Sequence, residues 1–351
     1  MVSVTLLPEA LAGLFGSGPL AALAGAFLAA GFIGAFIVTN AAVVVWGKRK
    51  ILAAFWEKVG PNRHGPGGVL IIVADAVRLL SKELIVPENA DRPAWDLAPL
   101  LLMASALLGF AVIPMGTLGG VELQLADPAV GIAFAFAVSS LSAFAIAMAG
   151  YASNNKFAAL GGLRAIASTI AYEIPLVVAA ASAVLLAGSM RPSTVVAAQA
   201  EPLVTVAGLT IPSWFALVNP LAFVLFLVAA LAEVGRNPFD TPEAAQEIVA
   251  GYQTEYGGVY FAILYAAEFV HIFLAGALAT TLFLGGPAGP VLPGPVWFLV
   301  KIWGFFLFTQ WARAAFPRLR IDQILGFGWK VLLVASFANL VLTAVLIGLT
   351  A

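Results

Sequence analysis

The 351-residue sequence predicts an all-α integral membrane protein of about eight transmembrane helices, with a further amphipathic helix on the cytoplasmic side of its first long loop. Three observations predict it. First, 62% of the residues are apolar and 10% are charged. Soluble domains average roughly 45–50% apolar and about 25% charged, so a lipid bilayer must be the solvent for most of this surface. Second, the chain holds eight apolar stretches near the length of about 20 residues that spans hydrocarbon. They lie at about 20–46, 95–116, 129–151, 166–190, 215–235, 257–284, 295–312 and 326–350. Third, lysine and arginine collect in alternate loops.

The basic residues set the orientation. The loop after the first stretch holds Lys48, Arg49, Lys50, Lys58, Arg63, Arg78, Lys82 and Arg92. The loop after the third holds Lys156 and Arg164, that after the fifth Arg236, and that after the seventh Arg313, Arg318 and Arg320. The even-numbered loops hold only Arg191. Odd loops are therefore expected in the cytoplasm and both termini on the outer face of the inner membrane. The first stretch is not expected to be a cleaved signal peptide. Its apolar run is too long, no basic segment precedes it, and Glu9 stands ahead of it.

Residues 1–351 are expected to form a single transmembrane domain, with two notable loops at 47–94 and 236–256. The first begins with a turn-rich run, Gly60 to Gly68, followed by an apolar stretch from Val69 to Leu80 that contains Asp75 and Arg78. That stretch is too short to span. An interfacial or re-entrant amphipathic helix fits it; a cytoplasmic surface helix is the alternative.

Several function classes are excluded. A net charge of −1 argues against nucleic acid as a partner. The chain has no cysteine, which excludes thiolate-bound iron–sulfur clusters and disulfides. Its two histidines, His64 and His271, do not supply paired haem ligands, and no metal site or catalytic residue is expected. Any redox cofactor belongs to a partner or arrives as a diffusible substrate.

An ionised side chain at mid-bilayer costs at least about 2.5–3.5 kcal/mol. Glu173, Glu233 and Glu268 fall within or at the ends of apolar stretches, and His271 shares a helix face with Glu268. Each taken alone also fits a structural hydrogen-bonding group. Together they suggest a proton path, because burial brings carboxyl groups toward a pKa at which nearby charge loads or unloads a proton. The loop between the fifth and sixth stretches carries Glu233, Asp240, Glu243, Glu247 and Glu255 against Arg236. Thr241-Pro242 reads as a helix start, which would put Glu243 and Glu247 on one face. The alternative is a solvated acidic loop.

These residues carry a family resemblance. Leu231-Ala232-Glu233, Arg236, Pro238-Phe239-Asp240, Glu243, Glu247, Gly251-Tyr252 and Glu255-Tyr256 resemble the acidic loop of the quinone-cavity subunit of respiratory complex I, the H subunit in bacteria. Gly60-Pro61-Asn62-Arg63 with Gly65-Pro66 resembles that family's first loop, and Ala74-Asp75-Ala76 with Lys82-Glu83 its interfacial helix. Ser153 to Lys156, Gly161 to Ala165 and Tyr172-Glu173 resemble its third-to-fourth helix segment. Arg313-Ala314, Pro317-Arg318, Arg320, Asp322-Gln323 and Trp329-Lys330 resemble its last loop.

The resemblance implies a subunit of a proton-translocating NADH:quinone oxidoreductase that holds no redox centre itself. Quinone would be the substrate. Flavin and iron–sulfur clusters would lie in hydrophilic partner subunits, and antiporter-like chains would be its neighbours in the membrane. Glu173, Glu233, Glu268 and His271 would form the proton path, and Asp240, Glu243, Glu247 and Glu255 the coupling loop. Trp56, Lys58, Ile71, Ile72, Asp75 and Arg236 would line the quinone chamber or its access, and Arg313 and Arg318 a subunit interface. A homologous subunit of a deazaflavin-, ferredoxin- or hydrogenase-linked complex fits the same residues, and a secondary ion transporter is a more distant alternative. The chain departs from the usual pattern at Lys48, Trp56, Ile71-Ile72 and Ala245, three of which make the quinone access more apolar.

Overall fold

The computed structural model describes residues 5–16, 18–206, 209–242, 244–289 and 292–350. Nine helical elements organise it: α1 (Pro19–Phe55), α2 (Ile71–Leu80), α3 (Arg92–Gly109), α4 (Gly131–Ala152), α5 (Lys156–Ala187), α6 (Pro220–Glu233), α7 (Gly258–Phe283), α8 (Gly294–Ala315) and α9 (Ile321–Leu349). α4 bends at Ser140, and α9 contains a π-turn at Gly328–Leu332. Six of these among the described residues are both long and apolar enough to cross a membrane: α1, α3 with its 3₁₀ extension to Val112, α4, α5, α7 and α9. The protein is thus an all-α membrane protein, with two of the eight anticipated spans less regular than expected. α6 has only 14 residues and follows a single turn at Phe215–Val218. α8 has 22 residues but carries Lys301, Gln310 and Arg313.

Several helices outrun their apolar stretches. α1 continues to Phe55, through the Lys48-Arg49-Lys50 run. Lysine and arginine are good helix formers, and both Lys48 and Arg49 find partners alongside the bundle: Lys48 lies over the rings of Tyr265 and Phe269, and Arg49 pairs with Asp75. α5 begins at Lys156 because the Asn155 side chain caps it, accepting from the Phe157 amide at 2.9 Å. α4 and α5 approach closely at Gly150, where a Cβ would come within 2.6 Å of the Ala158 carbonyl.

Two small sheets also form, which apolar length and charge spacing do not announce. Thr5–Leu6 pairs parallel to Val121–Glu122, itself antiparallel to Thr117–Leu118, and Pro202–Val206 pairs with Leu209–Pro212. They sit with the α5–α6 and α7–α8 connections at one end of the bundle. There Gln199 bonds to the Thr281 carbonyl, and Lys301 donates to the carbonyls of Leu284, Gly286 and Ala288 at 2.6–2.8 Å.

At the other end the remaining connections interlock. Trp95 stacks on Tyr256 at 3.8 Å, the Asp91 amide bonds to the Ala152 carbonyl, and the Leu319 amide to the Pro238 carbonyl. This interlocking end carries the candidate site.

Candidate functional site

Two cavities lie on opposite faces of α7. The smaller, about 80 Å³, is lined by Glu233 from α6, Glu268 and His271 from α7, Tyr252, and Ser139 and Ser142 from α4. The anticipated group of Glu233, Glu268 and His271 therefore shares one wall. Glu173 does not line it; its carboxylate faces Ser140, within electrostatic reach of Glu233. Glu233 ends α6 with Oε2 buried and lacking a hydrogen-bond partner.

Glu268 has a partner that the sequence did not suggest. Arg236 Nη2 lies 2.5 Å from its Oε1. Arg236 is 1% exposed, and its guanidinium sits 5.2 Å over the Phe269 ring. Glu268 is thus paired with a cation, and Arg236 is buried and lines neither cavity. The fork of guanidinium donors and its planar face suit both contacts at once.

The acidic loop is likewise less crowded with like charge than it reads. Glu247 pairs with Arg164 at 2.5 Å, Asp240 with Arg318 at 3.7 Å, and Glu255 accepts from Asn155 Nδ2 at 2.5 Å. Counting charges inside the loop alone missed cations from α5 and from the α8–α9 connection. Burial pushes the Asp240 carboxyl above the usual aspartate range, while Arg318, Arg313 and Arg236 pull it back. The expected helix start at Thr241-Pro242 is not seen. The Thr241 amide instead closes a tight turn onto the Phe239 carbonyl, and the only turn of α-helix among the described residues of this loop is Ala245–Ile248. Glu243 lies outside the described residues.

The larger cavity, about 500 Å³, lies between α1, α2 and α7. Ile72 and Asp75 line it, as do Arg49, Arg78 and Lys82, with Val38, Val45, Phe261 and Tyr265 among its apolar walls. Asp75 is held between two arginines, Arg49 at 2.7 Å and Arg78 at 3.8 Å. Ile71 and Trp56 are not on its wall. Trp56 is 50% exposed, with Lys58 Nζ 5.4 Å over its ring. Ile72, Asp75, Ala76 and Leu79 fall on one face of α2, and Ile71 lies beside that face, next to Asp75 in helical phase, without reaching the cavity. Arg49 and Tyr265 were missed. Arg49 sits in a basic run that reads as an orientation signal, and nothing local marks Tyr265.

Arg313, in the last turn of α8, and Arg318 are both half-buried beside Asp240. Among the described residues no group of three or more histidine and carboxylate side chains is placed to hold a metal ion.

Residues 28–344 match the sequence model of the NADH dehydrogenase family. The NADH-quinone oxidoreductase H subunit of Dehalococcoides mccartyi strain CBDB1 is 44% identical over 309 residues, 88% of this chain and 83% of the relative. The H subunit of Thermomicrobium roseum is 45% identical over 307 residues, covering 86% and 90%. An H subunit of Geobacter metallireducens is 45% identical over 312 residues, covering 88% and 92%. By the extent of that match and these identities, the chain belongs to the NADH dehydrogenase family of membrane subunits, the H subunits of NADH-quinone oxidoreductase.

Proposed function

We propose that the larger cavity admits the quinone and that the smaller one is part of the proton path coupled to its reduction. The observation that carries this is the sharing of α7: Phe261 and Tyr265 line the larger cavity while Glu268 and His271 line the smaller. A quinone joins a polar headgroup to a long isoprenoid tail. Apolar walls from α1 and α7 suit the tail, and the Arg49–Asp75–Arg78 group suits carbonyl oxygens at the headgroup end. Reduction of a quinone to a quinol takes up protons with the electrons. The resulting change of charge beside α7 would be felt by Glu268, Arg236 and Glu233, and Glu173 continues the line of carboxyls into α5. Asp240, Glu247 and Glu255, with Glu243, form the coupling loop.

The electrons would arrive from flavin and iron–sulfur clusters in hydrophilic partner subunits, docked in part through Arg313 and Arg318. Pumping at a distance would belong to antiporter-like membrane partners. In this reading all eight apolar segments cross the inner membrane, α2 lies at its cytoplasmic surface, the acidic loop faces the cytoplasm, and both termini lie outside.

Glu233→Gln tests the reading most directly, because its buried oxygen has no partner to lose. In the assembled complex, quinone-coupled proton translocation should fall roughly tenfold or more, as expected for loss of a proton-transferring group, with subunit content unchanged. Translocation and turnover at the unmutated level would overturn the proton path.

A further inference from the structure

The neighbourhood of His271 has a donor and acceptor balance with room for one more hydrogen. His271 Nδ1 lies 2.9 Å from the Ala267 carbonyl, which only accepts, so Nδ1 carries a hydrogen. A neutral imidazole then presents a bare lone pair at Nε2. That nitrogen faces Ser105 Oγ at 3.4 Å. The single hydrogen of Ser105 is already given to the Leu102 carbonyl at 2.8 Å. With His271 neutral, two lone pairs therefore face each other, and the 3.4 Å gap is wider than a normal hydrogen bond. A proton added at Nε2 converts this contact into an Nε2–H···Oγ bond, and Ser105 keeps its own bond to Leu102.

The charged and titratable groups around this contact are few. Glu268 lies one turn back on α7, paired with Arg236. Glu233 of α6 and the Tyr252 ring face the same cavity. Lys48 of α1 lies over Tyr265 and Phe269. From α3 the group that faces His271 is Ser105 itself, 1% exposed.

We propose that Ser105 is a positioning residue that accepts a hydrogen bond from the charged form of His271, making the pair a loading point for a proton on the wall of the small cavity. The inference rests on the proton-path reading above. It goes beyond that reading by assigning the hydroxyl that stabilises the loaded state and the nitrogen that takes the proton.

The test uses the assembled NADH-quinone oxidoreductase and the pH dependence of quinone-coupled proton translocation, with Glu233→Gln as a control for the path itself. Ser105→Ala removes the acceptor and should move the half-maximal pH of the histidine-dependent limb toward acid by about one unit, the size of a lost hydrogen bond to a charged group. Ser105→Thr keeps the hydroxyl and should keep the original profile. His271→Gln should abolish that limb. A Ser105→Ala profile superimposed on the original, with Glu233→Gln still inactive, would overturn the role of Ser105 and leave the path standing. Unaltered translocation in His271→Gln and in Glu233→Gln alike would overturn both. Should Ser105→Thr fail to assemble, the comparison of Ser105→Ala with the unmutated complex still decides the matter.

Discussion

The two cavities flanking α7 differ in nearly every property. The smaller is about 80 Å³, and its polar groups are two carboxyls, an imidazole and hydroxyls. The larger is about 500 Å³, lies between α1, α2 and α7, and carries the ion-paired Arg49–Asp75–Arg78 group together with Lys82. The first suits groups that change protonation in place. The second suits a molecule that enters. The contrast shows how one helix, apolar over most of its length, serves two chemistries by turning different faces to its neighbours.

The sharpest way to break this contrast is to remove the guanidinium that pairs with Glu268. Deleting one partner of a buried pair typically costs about 3–5 kcal/mol. Arg236→Met should therefore lower the thermal stability of the assembled complex more than Ile72→Gln or Asp240→Asn does. Arg236→Met combined with Glu268→Leu should recover most of that loss, because no charge is then left unpaired, while coupling stays impaired. Additive losses in this double-mutant cycle would show that the two side chains act independently.

A smaller effect sharpens the assignment of the larger cavity. Ile72→Gln places an amide on its wall, whereas Ile71→Gln and Trp56→Ala alter side chains that do not line it. Only Ile72→Gln should raise the apparent KM for long-tailed quinones, by roughly 10-fold or less for one apolar contact, and short-tailed analogues should change less. Equal changes for both substrate classes, or a larger change from Trp56→Ala, would remove the cavity from consideration as the quinone access.

The smallest effect lies in the loop that joins the two regions. The Asp240 carboxyl is raised mainly by burial. A carboxyl raised on folding binds its proton more tightly in the folded state. Its contribution is fully present below the ordinary aspartate value of about 4 and is lost as pH rises from there through the folded value. Asp240→Asn should flatten that decline, measured as melting temperature across the acid range. An unchanged slope would mean that the three arginines, not burial, set its protonation.

The all-α membrane character, six of the eight expected spans, the short amphipathic helix after the first turn-rich loop and the family resemblance were legible in the sequence, because apolar length and local spacing encode them. What was not legible came from pairing across distance. Arg236 meets Glu268, Arg164 meets Glu247, and Arg318 meets Asp240, so an acidic loop that reads as self-repelling is neutralised from other elements. Helix ends were misjudged for a related reason: Lys48 and Arg49 look like loop residues until Tyr265, Phe269 and Asp75 are brought beside them. The separation of Ile72 from Ile71 was not within reach, since helical phase puts both beside Asp75 and the packing of α2 on α1 and α7 decides which of them meets the cavity.

Lys301 gives α7 a mechanical character. Its ammonium gathers the carbonyls of Leu284, Gly286 and Ala288 just past the end of that helix, and Gln199 fastens Thr281 and Gly285 there too. The opposite end starts at Gly257-Gly258, with Gly258 at a φ of +55°. That end is tied as well: the Tyr256 hydroxyl donates to the Trp95 carbonyl and the Tyr260 hydroxyl to Asp96. A beam held at both ends resists tilting, so a guest against Phe261 and Tyr265 would be felt at Glu268 through the short stretch of helix between them and not through a swing of the whole rod.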